Sequence, residues 1–225
     1  MEARYARNIP ALTESECLAL RKKRILVVGC GGLGGHIIDQ LARIGVGAIR
    51  VVDGDVFDAT NLNRQLLSSI PLLGISKAQA AAEHIARVNP EIHVEAVPVF
   101  LTEENAAELV ADCDIVMDAL DNISSRKILA AACTEAEIPY VYGAISGWVA
   151  QAAVSIPGDM LMEILFPEEV EIRDKAVLSF TPALCASLQV SLCTKLLTGR
   201  PVETGTVYHF DLLNLELESI PLMLI

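Results

Sequence analysis

The chain is poor in basic charge: 17 Lys and Arg stand against 29 Asp and Glu over 225 residues, a formal net charge of −12. Non-specific attraction to a phosphate backbone needs clustered positive charge, so the composition speaks against nucleic acid as a partner. Paired cysteines are missing as well. Cys17, Cys30, Cys113, Cys133, Cys185 and Cys193 are scattered without a C-x-x-C, which points to small buried hydrophobes or reduced thiols, not a disulfide frame. Only Cys185 and Cys193 are close along the chain, and eight residues on one helix separate them by about 12 Å of rise, too far to share a zinc ion. The longest apolar run falls well short of the ~20 residues that span a bilayer, and the opening MetGluAlaArgTyrAlaArg lacks the apolar core of a secretion signal. A cytoplasmic protein without a membrane partner is expected. There is no Ser-His-Asp order and no H-E-x-x-H. His36, His84, His93 and His209 are isolated and read as packed or exposed side chains.

What is present is apolar. Hydrophobic residues make up 52% of the chain, above the ~45–50% usual for soluble domains. That suits a core sheet covered on both faces, with apolar surface left for a partner subunit. No composition shift marks a second domain, so the expected division is an N-terminal segment, 1–24, and one domain, 25–225.

Periodicity gives the order of elements. Thr13 and Glu16 form a capping-box pattern ahead of a short helix to Lys22. Ile25 to Val28 is a wholly apolar strand, Gly34 to Ile44 a helix stopped by Gly45, and Ile49 to Val52 a second strand. An irregular stretch from Gly54 to Gly74 follows, longer than a βα connection needs. Ser76 caps a helix over 77–88, Ile92 to Val97 alternates as a strand, and Thr102 caps a helix through Val110. Ile115 to Ala119 is a strand, a helix covers about 124–136, and IleProTyrValTyrGlyAla opens the next strand. After Gly147 the pattern changes to an antiparallel strand near 149–156 and a polar crossover over 167–180. A helix beginning at Thr181-Pro182 and ending at Gly199, then a hairpin of 206–211 with 215–219, completes the chain. The expected fold is α/β, a Rossmann-like doubly wound, mainly parallel sheet with an antiparallel C-terminal extension.

Gly29, Gly31 and Gly34 form G-x-G-x-x-G between strand and helix, where backbone N–H groups meet phosphate oxygens. The turn serves nucleotide binding or packing, and does not separate a dinucleotide from ATP. Asp53 ends the second strand where a carboxylate accepts ribose hydroxyls, or caps a turn. Asp55 reads equally as site or turn residue. Asn61, Arg64, Gln65 and Lys77 place two cations and two amides in or after the loop. Arg64 and Lys77 suit phosphate, by bidentate fork and mobile point charge, or are plain surface charge. Asp118, Asp121 and Asn122 share the same carboxyl edge. Asp121 is the candidate Mg²⁺ ligand, since Mg²⁺ takes one or two protein oxygens plus phosphates. Asp118 can orient a neighbour, Asn122 can cap a helix, and Arg126 can close a local ion pair. Trp148 flanks a substrate tail or packs in a core or interface.

Together ArgTyrAlaArg, GlyCysGlyGlyLeuGlyGly, AspGlyAspValPheAspAlaThrAsnLeuAsnArgGln, GlyIleSerLys and AspAlaLeuAspAsn resemble the ThiF/MoeB/HesA adenylyltransferases, relatives of ubiquitin-activating enzymes. The resemblance runs from about residue 4 to the C-terminal hairpin. It implies a homodimeric enzyme that uses Mg-ATP to adenylate the Gly-Gly C-terminus of a small ubiquitin-like sulfur-carrier protein. It also implies that Gly32 lies against the nucleotide, Asp53 holds ribose, and Asn61, Arg64 and Lys77 contact phosphates and ribose. Asp121 ligates Mg²⁺ and Arg7 serves the other subunit's ATP. The chain departs from many members in lacking both zinc-binding C-x-x-C pairs, near 159–167 and 182–189, so no zinc is expected. It also lacks a crossover cysteine for a covalent step. An NAD(P)-dependent oxidoreductase and a non-catalytic nucleotide-binding partner are the alternative readings.

Overall fold

The computed structural model describes residues 2–167 and 176–222. The chain opens with a 3-10 turn, Ala3–Asn8, where the sequence offered no period, and then α1, Glu14–Leu20. Thr13 caps α1 through the expected box: its Oγ1 accepts from Glu16 N at 3.2 Å, and its own N–H donates to Glu16 Oε2 at 2.7 Å. Five parallel strands follow, β1 Arg24–Val28, β2 Ala48–Val52, β3 His93–Val97, β4 Ile115–Asp118 and β5 Tyr140–Ser146. They alternate with α2 Gly32–Ile44, α3 Lys77–Val88, α4 Glu103–Val110 and α5 Ile123–Glu135. Then come β6 Val149–Ser155, α6 Leu161–Leu165, α7 Phe180–Thr198, β7 Thr206–Asp211 and β8 Glu216–Pro221.

All eight strands form one sheet, in the order β3-β2-β1-β4-β5-β6-β7-β8. The first five positions are parallel and the last three antiparallel, as expected. The sequence reverses from β1-β2-β3 to β4-β5 across the central β1–β4 pair, and a crevice opens at such a switch point beyond the strands' carboxyl ends. The apolar runs of β1 and β4 are buried on both faces. Ile25 and Val27 pack with α2 and α7, while Leu26 and Val28 pack with α4 and α5. Gly45 and Gly199 end α2 and α7 in left-handed conformation, φ 91° and 73°, where a side chain would be strained.

The C-terminal half departs from expectation in details with local causes. α7 starts at Phe180, so Pro182 is its third residue; the N–H it lacks is still one of the four without an intrahelical partner. α6 is five residues long, too short for a period to announce it. The polar crossover expected over 167–180 lies at 168–175 outside the described residues. The glycine-free hairpin turns by putting Leu215 at φ 59°, while Asp211 Oδ1 accepts from Leu213 N at 2.8 Å and Asn214 N at 3.2 Å. Among the described residues, α7 alone has the length and hydropathy of a membrane span. It is a core helix: Cys185, Ala186, Val190 and Cys193 are buried in the main cluster, and Gln189 donates to the Asp118 and Val141 carbonyls at 2.8 and 3.0 Å.

Candidate active site

A cavity of about 380 Å³ opens at the carboxyl ends of β1, β2 and β4. Its floor is the turn from β1 into α2. Gly29 has φ 98°, and a Cβ there would lie 2.5 Å from the Ala119 carbonyl oxygen. A Cβ on Gly34 would lie 1.8 Å from the Gly29 carbonyl oxygen. These two glycines close the turn against itself and against the β4 edge. Gly29, Gly31 and Gly32 line the cavity, whereas Gly34 is spent on packing.

Asp53 also lines the cavity, with both oxygens engaged. Oδ2 accepts from Cys30 N at 2.7 Å and Oδ1 from Asp55 N at 2.8 Å, which ties the glycine turn to the loop leaving β2. Burial pushes this carboxyl above its ordinary range, and the two N–H groups and the Lys77 charge pull it back. Lys77, the first residue of α3, is buried and bonds Asp55 Oδ2 through Nζ at 3.0 Å. Ser76 caps that helix by accepting from Gln79 N. Arg64 donates to the Thr60 carbonyl at 2.9 Å and Asn63 Oδ1 at 2.8 Å, and among the described residues it has no carboxylate partner. Gln65 is 7% exposed, and its Oε1 has no hydrogen-bond partner although it borders the cavity. A buried acceptor left unpaired costs about 1–3 kcal/mol.

On the opposite wall Asp121 accepts only a long 3.4 Å contact from Asn122 Nδ2 among the described residues. Asn122 caps α5 through Ser125 N at 2.8 Å. One loosely held carboxylate facing two cations fits Mg²⁺ completed by phosphate oxygens. No set of three or more His, Cys, Asp or Glu side chains among the described residues is grouped to hold a metal unaided.

The structure therefore brings Gly29, Gly31, Gly32, Asp53, Asp55, Arg64, Gln65, Lys77, Asp121 and Asn122 to one cavity. Asn61 turns away from it: its Oδ1 accepts from Asp58 N at 3.1 Å and closes its own 3-10 turn. Arg7 is exposed in the 3-10 turn whose Asn8 bonds the Ile44 carbonyl, at the amino edge of the sheet, remote from its own chain's cavity. Sequence reading missed Phe100, which lines the cavity against Gly54; a Cβ on Gly54 would lie 2.6 Å from its ring. Its place three residues past an expected strand, at a carboxyl edge, was the available signal. Arg126 was also missed as a lining residue.

All six cysteines are buried. Cys185 Sγ lies 3.2 Å from the Gln151 carbonyl oxygen and 3.6 Å from that of Ala144, and burial pushes its thiol up to about 12.

The ThiF family model matches residues 5–223. The chain is similar to the SAMP-activating enzyme E1 of Haloferax volcanii, 36% identical over 210 residues that cover 90% of this chain and 77% of that one. It is 34% identical over 232 residues to the probable adenylyltransferase/sulfurtransferase MoeZ of Mycobacterium tuberculosis, covering 97% of this chain and 59% of that one. In fold it resembles the crystal structure of E. coli MccB with AMPCPP and MccA, with a TM-score of 0.86 at 22% identity over 97% of this chain and 71% of that one. From its glycine turn to its C-terminal hairpin, the chain belongs to the ThiF family.

Proposed function

We propose that the protein is an ATP-dependent adenylyltransferase of the cytoplasm that activates the C-terminal glycine of a small ubiquitin-like sulfur-carrier protein. The observation that carries this reading is the convergence of Arg64, Lys77 and Asp121 on the cavity of the glycine turn. An oxidoreductase would need the turn and Asp53 but has no use for these cations. Family membership and relatives bearing the adenylyltransferase name support the same reading.

The chemistry asks little of the protein by way of a nucleophile. A carboxylate oxygen of the carrier's terminal glycine attacks the α-phosphorus, the bond to the bridging oxygen breaks, and pyrophosphate leaves with the electron pair. The chain must hold two anions in line and stabilise charge growing on the leaving group. In this reading Arg64 and Lys77 hold phosphate oxygens, Gly31 and Gly32 let them approach the backbone, and Asp53 keeps the turn in shape beside the ribose. Mg²⁺, held by Asp121, would neutralise phosphate charge. Residues 25–225 form the catalytic unit and 1–24 brace its amino edge. Arg7 would serve the cavity of a second copy in a homodimer, and exposed Leu66, Ile70 and Ile75 on the loop after β2 supply apolar surface for contact between copies. The acyl adenylate finds no accessible thiol among the six cysteines, so its acyl group passes to a nucleophile from outside the chain.

The test is exchange of labelled pyrophosphate into ATP. It should require both Mg²⁺ and a carrier ending in Gly-Gly; ATP binding without exchange against any such carrier would leave a nucleotide-binding partner protein instead.

A further inference from the structure

Beneath the cavity, Asp118 and Arg126 form a buried ion pair, 0% and 4% exposed. The pair does more than neutralise itself. Arg126 Nη1 donates to Asp118 Oδ2 and, at 2.7 Å, to the Gly143 carbonyl of β5, while Nη2 donates to the Leu120 carbonyl. Its guanidinium also lies 5.1 Å from the centre of the Tyr142 ring. Asp118 Oδ1 accepts from Leu120 N at 2.8 Å, and Oδ2 takes the Tyr140 hydroxyl as well.

These bonds hold the strand-to-helix turn on both sides of one residue. Ala119 N is bound to the Val28 carbonyl at 3.0 Å, both backbone groups of Leu120 are taken, and Asn122 is fixed as the cap of α5. Asp121 stands between Leu120 and Asn122 with its carboxylate nearly free. A guanidinium fork can grip carboxylate and carbonyl together, which an ammonium group cannot do with the same geometry.

We propose that Arg126 is a positioning residue: by gripping the Leu120 carbonyl against Asp118, it aims the Asp121 carboxylate into the cavity to hold Mg²⁺ beside the nucleotide. This rests on the reading of Asp121 as the Mg²⁺ ligand.

The experiment is calorimetric titration of the full chain with α,β-methylene ATP, with and without Mg²⁺, alongside melting curves. The readout is the gain in nucleotide affinity that Mg²⁺ brings, a ratio within one protein. Wild type shows the gain and Asp121→Ala lacks it; a wild type without gain, or full gain in Asp121→Ala, overturns the Asp121 reading and this inference with it. Arg126→Lys keeps a cation for Asp118 and is expected to lose about tenfold of the gain, the low end for losing an outer partner of a metal ligand. Its Mg²⁺-free affinity should stay at the wild-type level. Tyr140→Phe removes a bond from Asp118 without touching Leu120, and should keep the gain. Full gain in Arg126→Lys overturns the inference while leaving Asp121 in place. An equal loss in Tyr140→Phe, or a matching fall in Mg²⁺-free affinity in Arg126→Lys, also overturns it, because the effect would then be general loosening or direct phosphate contact.

Discussion

The two edges of the parallel sheet use the same side-chain types for opposite ends. At the amino edge polar groups satisfy one another. Asn89 accepts from Arg4 and donates to the Tyr5 hydroxyl and the Ala42 carbonyl, all within 2.9 Å, and Lys23 pairs with Asp114 at 2.8 Å. Arg50 is filled by Glu95 and by the Leu109 and Ala111 carbonyls at the end of α4. At the carboxyl edge Arg64 lacks a carboxylate partner among the described residues, Gln65 Oε1 has no partner, and Asp121 is barely held. Helix N-termini also point that way, adding partial positive charge in front of the cavity. An acidic chain can thus offer a local anion site where a cation such as Arg64 is left without a carboxylate partner at one edge.

The sharpest way to break this contrast is to damage each edge with one methyl group. Gly34→Ala drives a Cβ to 1.8 Å from the Gly29 carbonyl, and Gly47→Ala drives one to 2.2 Å from that of Arg21. Both are expected to lower stability in urea unfolding by about 1–3 kcal/mol or more, the cost of overpacking. Only Gly34→Ala should also weaken ATP binding by the folded protein, and equal loss in both would erase the distinction. A narrower test exchanges the two arginines. Arg64→Ala should cost about 1.5–3 kcal/mol of Mg-ATP affinity, the value of a hydrogen bond to a charged group, with little change in melting temperature. Arg50→Ala should do the reverse, losing stability and keeping affinity. Arg7 is the exception that sharpens the rule, an amino-edge cation proposed to work at another copy's carboxyl edge. Arg7→Ala mixed with Asp121→Ala should recover about a quarter of wild-type pyrophosphate exchange, since half of randomly formed dimers would carry one intact site of two. No recovery in verified mixed dimers would leave Arg7 with a structural task.

Much of this was legible in the chain because its determinants are local. The all-apolar runs of β1 and β4, the Thr13–Glu16 box, the Ser76 cap and the glycines at 45 and 199 each act within a few residues, and their elements form close to the expected bounds. What escaped depends on partners distant in sequence. Nothing near Asp53 says that Cys30, 23 residues earlier, will take one of its oxygens. Nothing near Asn61 says that it will close its own turn and leave Arg64 to face the cavity. Arg126 closes the local ion pair expected of it, with Asp118, but nothing in the sequence near it says that β5 and α7 will close over its turn and bury it. Residue type alone does not separate Arg50 from Arg64; the edge on which each emerges does.

The central claim is that Arg64 and Lys77, brought together at the carboxyl edge, make this an ATP site. Competition between Mg-ATP and NAD for the wild-type chain and for Lys77→Ala, followed by calorimetry, tests it most directly. The account predicts that NAD fails to displace Mg-ATP, and that Lys77→Ala weakens Mg-ATP by about tenfold or more, the loss of a charge-assisted phosphate contact. Tight NAD binding, with Mg-ATP affinity indifferent to Lys77, would contradict it.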